Sequence, residues 1–426
     1  MKATLMRIAS GVAVAGVGVL AFLFTQFGSH AQNVRLVAPS TPVPATFFGM
    51  HMHRVITTTP WPSVPFGSWR LWDSQCHWSQ MQPRKGQWRW EVLDREVELA
   101  EKHNVDLLMT LGDTPTWASA RPSEPRNGRF QETGGAAEPR DIEDWRNYVR
   151  TLATRYKGRI HYYEIWNEPN LPNFFSGTPE KMIELAREAY PILKQVDPTN
   201  QVVSPSAVGP TGLTWFDRYM ELGGGKYADI IGFHFYVHLL PPETMLQLIN
   251  PLKQSMKKYG VDDKPLWNTE TGWLRTPNQM REIDPAHQAP GWTARAFIVA
   301  WAAGVQRFYW YAWDDDGGDS IPFTEFDQST ATRNARAFVE VQKWMTGSRM
   351  ESCEAQAENV VCKMTRESGR PAWIVWNRTH SAQFDVPKDW GVQTAWRLSG
   401  DQSAFSGNRI EIDELPIMLE GQAGRS

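Results

Sequence analysis

Between residues 47 and 346 the chain repeats one alternation: a short apolar run of strand length, then a longer stretch with apolar residues at helical spacing. Runs of the first kind fall at 47–52, 69–72, 106–111, 160–166, 201–204, 230–235, 266–269 and 307–310. Helix-patterned stretches fall at 93–103, 142–156, 179–196, 293–303 and 332–346. Strands that alternate with helices build a parallel sheet whose faces the helices cover, and eight units in this order predict an α/β fold, a (β/α)8 TIM barrel. An open doubly wound sheet is the competing architecture, but no Gly-rich phosphate loop follows the first run.

Past residue 348 the pattern changes to short β-like runs, 372–376 and 394–398 among them, separated by Gly, Asn and Asp turns. The expected layout is therefore a barrel over 32–348 and a small C-terminal β-sandwich over 349–426, read as a structural brace. Cys353 and Cys362 lie close together in this β-patterned region and are expected to form a hairpin disulfide. Cys76 is left over and reads as a small buried residue.

Residues 1–31 read as a targeting segment. Lys2 and Arg7 precede an uncharged run from Ile8 to Phe27, and Ser29-His30-Ala31 then fits a small-x-small cleavage pattern. The run is nearly long enough to span a bilayer, so both a cleaved signal peptide and an uncleaved inner-membrane anchor stay open. Either one places the body of the protein outside the cytoplasm, periplasmic or secreted.

With 47 acidic against 44 basic side chains the net charge is -3, which offers no surface for a polyanion and excludes nucleic acid as an expected partner. Trp is the outlier at 21 copies. Sugar rings present apolar C–H faces that stack on flat aromatics, so a Trp-rich chain fits a carbohydrate groove as well as a large core.

Two motifs carry the chemistry. Tyr163-Glu164-Ile165-Trp166-Asn167-Glu168-Pro169-Asn170 ends a strand in an Asn-Glu pair and breaks at proline; Pro265-Leu266-Trp267-Asn268-Thr269-Glu270-Thr271-Gly272 ends a later strand in Glu270 and breaks at glycine. Barrel enzymes carry their reactive groups at the C-terminal strand ends, where both glutamates fall. Glycosidic cleavage needs one protonated carboxyl to assist the leaving oxygen and one ionised carboxyl to attack. Two carboxyls at close range push each other's pKa values apart, so one site can hold both forms. No zinc-type Cys/His spacing, serine elbow or nucleotide loop competes with this pair.

Both motifs, together with His234-Phe235-Tyr236, resemble the retaining glycoside hydrolases of clan A. Trp69-Arg70-Leu71-Trp72-Asp73, a following Trp88, Leu93-Asp94 and Leu111-Gly112-Asp113-Thr114-Pro115-Thr116-Trp117 add a similarity to family 39, over roughly residues 45 to 350. The resemblance implies Glu168 as general acid/base and Glu270 as nucleophile. Asn167 is expected to bond the sugar 2-hydroxyl, His234 and Tyr236 to point into the barrel mouth, and Arg70 to hold Glu270 ionised. Trp313 is read as a stacking platform, with Trp117, Trp273, Trp72 and His51 as weaker candidates. Asp314-Asp315-Asp316 with Asp319 lacks regular calcium-ligand spacing and reads as a solvated loop, and neither metal nor cofactor is expected. The expected partner is a β-linked polysaccharide and the expected state a monomer. Family 39 includes xylosidases, iduronidases and endoglycosidases of biofilm exopolysaccharide, and the targeting segment with one barrel and a short β-domain is most similar to the last group. A cellulase- or xylosidase-like hydrolase and a non-catalytic glycan-binding or export accessory protein remain alternatives.

Overall fold

The structure is a computed structural model that describes residues 35–125, 132–273, 288–314, 321–325, 327 and 329–422. The targeting segment read at 1–31 lies outside the described residues, among which no helix is long and apolar enough to cross a membrane.

The barrel strands are β1 (Phe48–His51), β2 (Ser68–Leu71), β3 (Asp106–Thr110), β4 (Tyr162–Glu164), β5 (Gln201–Val203, resumed as Ala207–Val208), β6 (Ile231–His234), β7 (Leu266–Thr271) and β8 (Val305–Trp310). All pair in parallel, and β1 lies between β2 and β8. Strand five is broken because Pro205 offers no N–H to a ladder. Its first piece pairs with β4 and its second with β6, while a bridge from Val203 to Ile230 closes the ring. Most strand residues are buried, as expected of a parallel sheet wrapped by helices.

Besides the single turn Trp78–Met81, the described residues hold the helices α1 (Glu91–His103), α2 (Ile142–Arg155), α3 (Pro179–Val196), α4 (Gly209–Glu221), α5 (Leu246–Lys258), α6 (Gln288–Ala302) and α7 (Arg333–Met345). Local chemistry sets several starts. The Asp141, Thr178 and Thr332 side chains accept from the backbone N–H groups of Glu143, Lys181 and Ala335, and Pro179 opens α3. Two features depart from a simple eightfold reading. No helix fills the link 52–67 between β1 and β2, and α4 and α5 occupy stretches whose Gly209-Pro210 start and internal Pro251 blur the helical signal.

Beyond the barrel come β9 (Arg349–Gln356), β10 (Asn359–Thr365), β11 (Pro371–Asn377), β12 (Ala382–Asp385), β13 (Val392–Arg397), β14 (Gln402–Ala404), β15 (Arg409–Ile412) and β16 (Ile417–Gly421). They form an antiparallel sheet in the order β9-β10-β11-β16-β13-β14, extended at β9 by the two-residue strand Arg35–Leu36, and a β12-β15 ribbon. Alternation on β11 divides the faces. Trp373 and Val375 share a cluster with Ile412 and Phe384 of the ribbon, whereas Ala372, Ile374 and Trp376 join the barrel core. Helix α6 is caught between barrel and sheet; Ala289 through Ala302 are buried, so it lacks the polar stripe of a surface helix. Cys353 and Cys362 face each other across β9 and β10 and are disulfide-bonded, and Cys76 is a free buried thiol.

Candidate active site

The β4 exit is built to turn a carboxylate inward. After Glu164 the backbone leaves the ladder, passing through φ 151° at Trp166 and 43° at Glu168. A left-handed residue other than glycine costs on the order of 1 kcal/mol or more and persists only where its surroundings hold it. Here the Glu168 N–H donates to the Ser206 carbonyl at 2.9 Å, and Asn167 bridges to Ser206, so the broken β5 pins the turn. Glu270 sits inside β7, three strands further round the barrel.

Arg70 on β2 joins the two motifs. Its Nε donates to Glu164 Oε2 at 2.7 Å, Nη1 to Glu270 Oε2 at 2.8 Å and Nη2 to Asn167 Oδ1 at 2.7 Å. Glu164 is held further by the Thr110 hydroxyl at 2.8 Å and by Ser206, whose oxygen accepts from Thr269 at 2.7 Å. Tyr236 donates to Glu270 Oε1 at 2.9 Å, and His234 Nδ1 lies 2.9 Å from Glu168 Oε1. The neighbouring Phe233 and Phe235 point into the core, so the period-two reading of this run holds. Glu168 and Glu270 each keep 7% of their surface exposed, while Arg70 and Glu164 keep none.

Burial pushes the Glu168 carboxyl well above the carboxylate range, and the nearby Glu270 charge pushes it further. Burial also lifts Glu270, to about 7, against the Arg70 guanidinium and the Tyr236 hydroxyl that hold it down. The pair is therefore ordered: Glu168 keeps its proton after Glu270 has lost one. Burial would lower Arg70, but Glu164 and Glu270 more than offset this and it stays charged. Burial, then Arg70, holds His234 neutral, so its ring can exchange a hydrogen bond with Glu168 but does not supply a charge.

The other candidates divide. His51 is fully buried and its Nε2 lies 3.1 Å from the Thr269 carbonyl, which makes it a strut between β1 and β7. Trp313 and Trp273 correct the sequence reading: both lie in the hydrophobic core without exposed surface, so neither offers a face to a sugar. Trp273 stacks on Trp310 and donates to the Leu240 carbonyl at 2.9 Å. Trp117 keeps part of its surface and donates to the Gln82 carbonyl at 2.8 Å. Trp72 is buried against the His77 ring. Asp314 accepts from the backbone N–H groups of His53 at 2.7 Å and Arg54 at 2.9 Å, a loop cap in place of a solvated acid; Asp315, Asp316 and Asp319 lie outside the described residues.

Sequence reasoning passed over Glu164, which fixes Arg70, and Thr110 and Ser206, which hold Glu164. Glu164 stood inside the first motif, but only folding shows that a second glutamate there serves as counter-ion. Glu168, His234 and Glu270 bring ligand atoms within 4.8 Å of one another, a spacing a divalent cation would also use. The Arg70 cation already bonded to Glu270 works against a second positive charge there.

Residues 138–330 match the glycosyl hydrolase catalytic core, and residues 72–181 match glycosyl hydrolase family 10. A β-xylosidase of Caldicellulosiruptor saccharolyticus is 27% identical over 248 residues, 51% of this chain and 50% of that protein. Endo-1,4-β-xylanase A of Halalkalibacterium halodurans is 32% identical over 97 residues, 21% of this chain and 24% of that protein. The chain thus spans about half the length, or less, of the curated relatives it matches. Among solved structures, a family 39 glycoside hydrolase from the gut symbiont Bacteroides cellulosilyticus shares the fold with TM-score 0.71 at 17% identity, covering 89% of this chain and 81% of that one. A family 39 β-xylosidase from Caulobacter crescentus gives 0.64 at 14% identity, covering 92% and 98%. The chain, a barrel of this topology with two glutamates meeting at its mouth, is thus similar in sequence to the glycosyl hydrolase catalytic core and to family 10, and shares its fold with glycoside hydrolases of families 39 and 30.

Proposed function

We propose that the chain hydrolyses β-glycosidic bonds with retention of anomeric configuration, through a covalent glycosyl-enzyme. The observation that carries this is the approach of an oxygen of Glu168 to an oxygen of Glu270 within 4.8 Å. Retaining enzymes hold their carboxyls about 5–5.5 Å apart, whereas inverting enzymes leave about 6.5–9.5 Å for a water.

Each side chain then has a task. Glu270, kept ionised by Arg70 and Tyr236, attacks the anomeric carbon as the Glu168 proton passes to the departing glycosidic oxygen. Esterification removes the Glu270 charge that raised Glu168, so the Glu168 carboxylate is left to take a proton from water. That water attacks the anomeric carbon, the bond to Glu270 breaks, and Glu270 leaves as a carboxylate again. Asn167 has Oδ1 engaged by Arg70, which leaves its Nδ2 to donate to the 2-hydroxyl of the reacting sugar.

For substrate, the finer reading is endo cleavage of a bacterial exopolysaccharide by an exported or membrane-anchored enzyme, supported by the sequence pattern of residues 1–31 and the family resemblance. A second reading, hydrolysis of a xylan-type chain, is favoured by the names of the relatives. The sheet over 349–422 is proposed to brace the barrel, supported by Trp376, which donates to Glu243 at 2.8 Å. Mass spectrometry of products from xylan, other β-linked polymers and bacterial exopolysaccharide separates the substrate readings. Proton NMR of the first-formed anomer tests retention: the β-anomer is expected, and an α-anomer would overturn the mechanism.

A further inference from the structure

The β4 exit continues past Glu168 to a surface that the catalytic groups do not use. Asn170 Oδ1 accepts from the Val208 N–H at 2.9 Å, and its Nδ2 donates to the Val208 carbonyl and the Thr211 hydroxyl, both at 3.1 Å. These bonds fasten the loop that carries Glu168 to the first turn of α4. At this junction opens a hollow of about 400 Å³, lined by Asn170, Thr211, Thr214, Trp215 and Arg218. Thr211, Thr214, Trp215 and Arg218 follow helical spacing and share one face of α4.

We propose that this hollow is a leaving-group-side subsite for a β-linked oligosaccharide, with Trp215 as its stacking surface. The inference rests on the acid role proposed for Glu168: a general acid contacts the leaving group, so the sugars beyond the cleaved bond extend along the acid's own side of the mouth. From Glu168 that direction leads through Asn170 to Thr211, and Trp215 follows about 6 Å further along the helix axis. The indole is partly exposed and is braced on one side by Tyr219, stacked at 5.2 Å with an interplanar angle of 12°. Arg218, an exposed lining residue, is held by Glu180 at 2.7 Å and Glu221 at 2.9 Å. An aromatic face edged by the Thr211 and Thr214 hydroxyls suits a neutral pyranose, whose C–H face stacks while its hydroxyls bond at the rim. A second hollow, lined by Trp90, Arg150, Thr151, Thr154 and Arg155, has a similar lining but none of its residues belongs to the Glu168 loop.

The test combines binding and turnover. Calorimetric titration of Glu270→Gln protein with xylohexaose, cellohexaose and mannohexaose measures affinity without cleavage. The same titrations are made after adding Trp215→Ala, Trp215→Phe or Thr214→Tyr; Thr214 is exposed, so Thr214→Tyr fills the hollow without touching the core. At least one hexaose is expected to bind, about tenfold more weakly with Trp215→Ala or Thr214→Tyr and with little change for Trp215→Phe. Turnover of 4-nitrophenyl β-xyloside, too short to reach α4, is expected to stay at the parent rate when each substitution is made in active protein. Hexaose affinity unchanged by both Trp215→Ala and Thr214→Tyr, equal losses on the short glycoside, or no hexaose binding would overturn the proposal. If affinity falls as expected while the parent protein cleaves nothing, the glycan site stands and the catalytic reading falls.

Discussion

Two fully buried arginines organise two regions of this molecule, and they differ in what they leave over. At the barrel mouth Arg70 bonds Glu164, Glu270 and Asn167, and a further carboxyl, Glu168, has an oxygen within 4.8 Å of Glu270 with a neutral imidazole beside it. Between barrel and C-terminal sheet, Arg295 of α6 binds Glu243 through Nε at 2.9 Å and Nη2 at 2.5 Å, Trp376 of β11 donates to the same carboxylate at 2.8 Å, and Glu414 lies 3.8 Å away. Desolvating such groups costs several kcal/mol per ion, so neither cluster is explained by stability alone. The junction matches cation to carboxylate across separate segments and so fixes how they meet. The mouth places one more carboxyl than its guanidinium bonds, and burial with the Glu270 charge raises that carboxyl, Glu168, above the usual range.

The comparison breaks most sharply at the proposed nucleophile. Glu270→Gln should lower kcat by about 10⁴-fold or more, since among the described residues no other carboxylate at the mouth is placed to attack; a much smaller loss in steady-state assays would remove Glu270 from that role. Next comes Glu168→Gln, expected to cost about 10²–10⁴-fold in kcat/KM on glycosides with poor leaving groups and far less in kcat/KM on activated aryl glycosides, which depart without a proton. Equal losses on both substrate types would argue against acid catalysis by Glu168.

Paired substitutions of the arginines sharpen the contrast further. Arg70→Lys and Arg295→Lys each lose a planar fork and should each lower stability by about 1–3 kcal/mol in denaturant melts. Only Arg70→Lys should also reduce kcat, by about 10²-fold through a displaced Glu270. A comparable kcat loss in Arg295→Lys would mean that the junction reaches the site.

The smallest effect is a shift in pH dependence. Activity needs Glu270 ionised and Glu168 protonated, so kcat/KM should be bell-shaped, with an acid limb raised from the ordinary carboxylate range towards about 7. Tyr236 donates to ionised Glu270 and lowers its pKa, so Tyr236→Phe should move the acid limb to higher pH, by about one unit. An unmoved limb in a pH series would mean that Glu270 does not set it. The folded state should respond in a related way at Glu96, where burial raises the carboxyl to about 8. Folded protein then holds a proton that the unfolded chain releases near 4.5, so this contribution to stability is full below that pH and is lost as pH rises towards about 8.

Much of the barrel was legible because most of its strands are short, largely apolar runs, a signal that survives without knowing any neighbour. Helices α4 and α5 were not, since Gly209, Pro210 and Pro251 weaken the local pattern and packing on the strands overrides it. Period-two reasoning put His234 and Tyr236 on the mouth side, yet their division of labour, imidazole to Glu168 and hydroxyl to Glu270, depends on distances between strands. Trp313 shows the opposite limit. Position past β8 pointed to a sugar platform, and the ring is instead enclosed in the core, because exposure is a property of what surrounds a side chain.

By itself the amino-acid sequence determined the order of strands and helices, the strand-end placement of Glu168 and Glu270, and the ladder position that lets Cys353 meet Cys362, since hydrophobic period, proline and glycine breaks and local spacing act over a few residues. Tertiary structure alone decided that Arg70, Glu164 and Ser206 would converge from three strands on one carboxylate network. It also decided that burial and the neighbouring Glu270 would raise the Glu168 carboxyl and that Asn170 would lead to a hollow on α4. Charge interactions and desolvation act through space, and the residues that meet at this mouth are separated by as many as 200 positions along the chain.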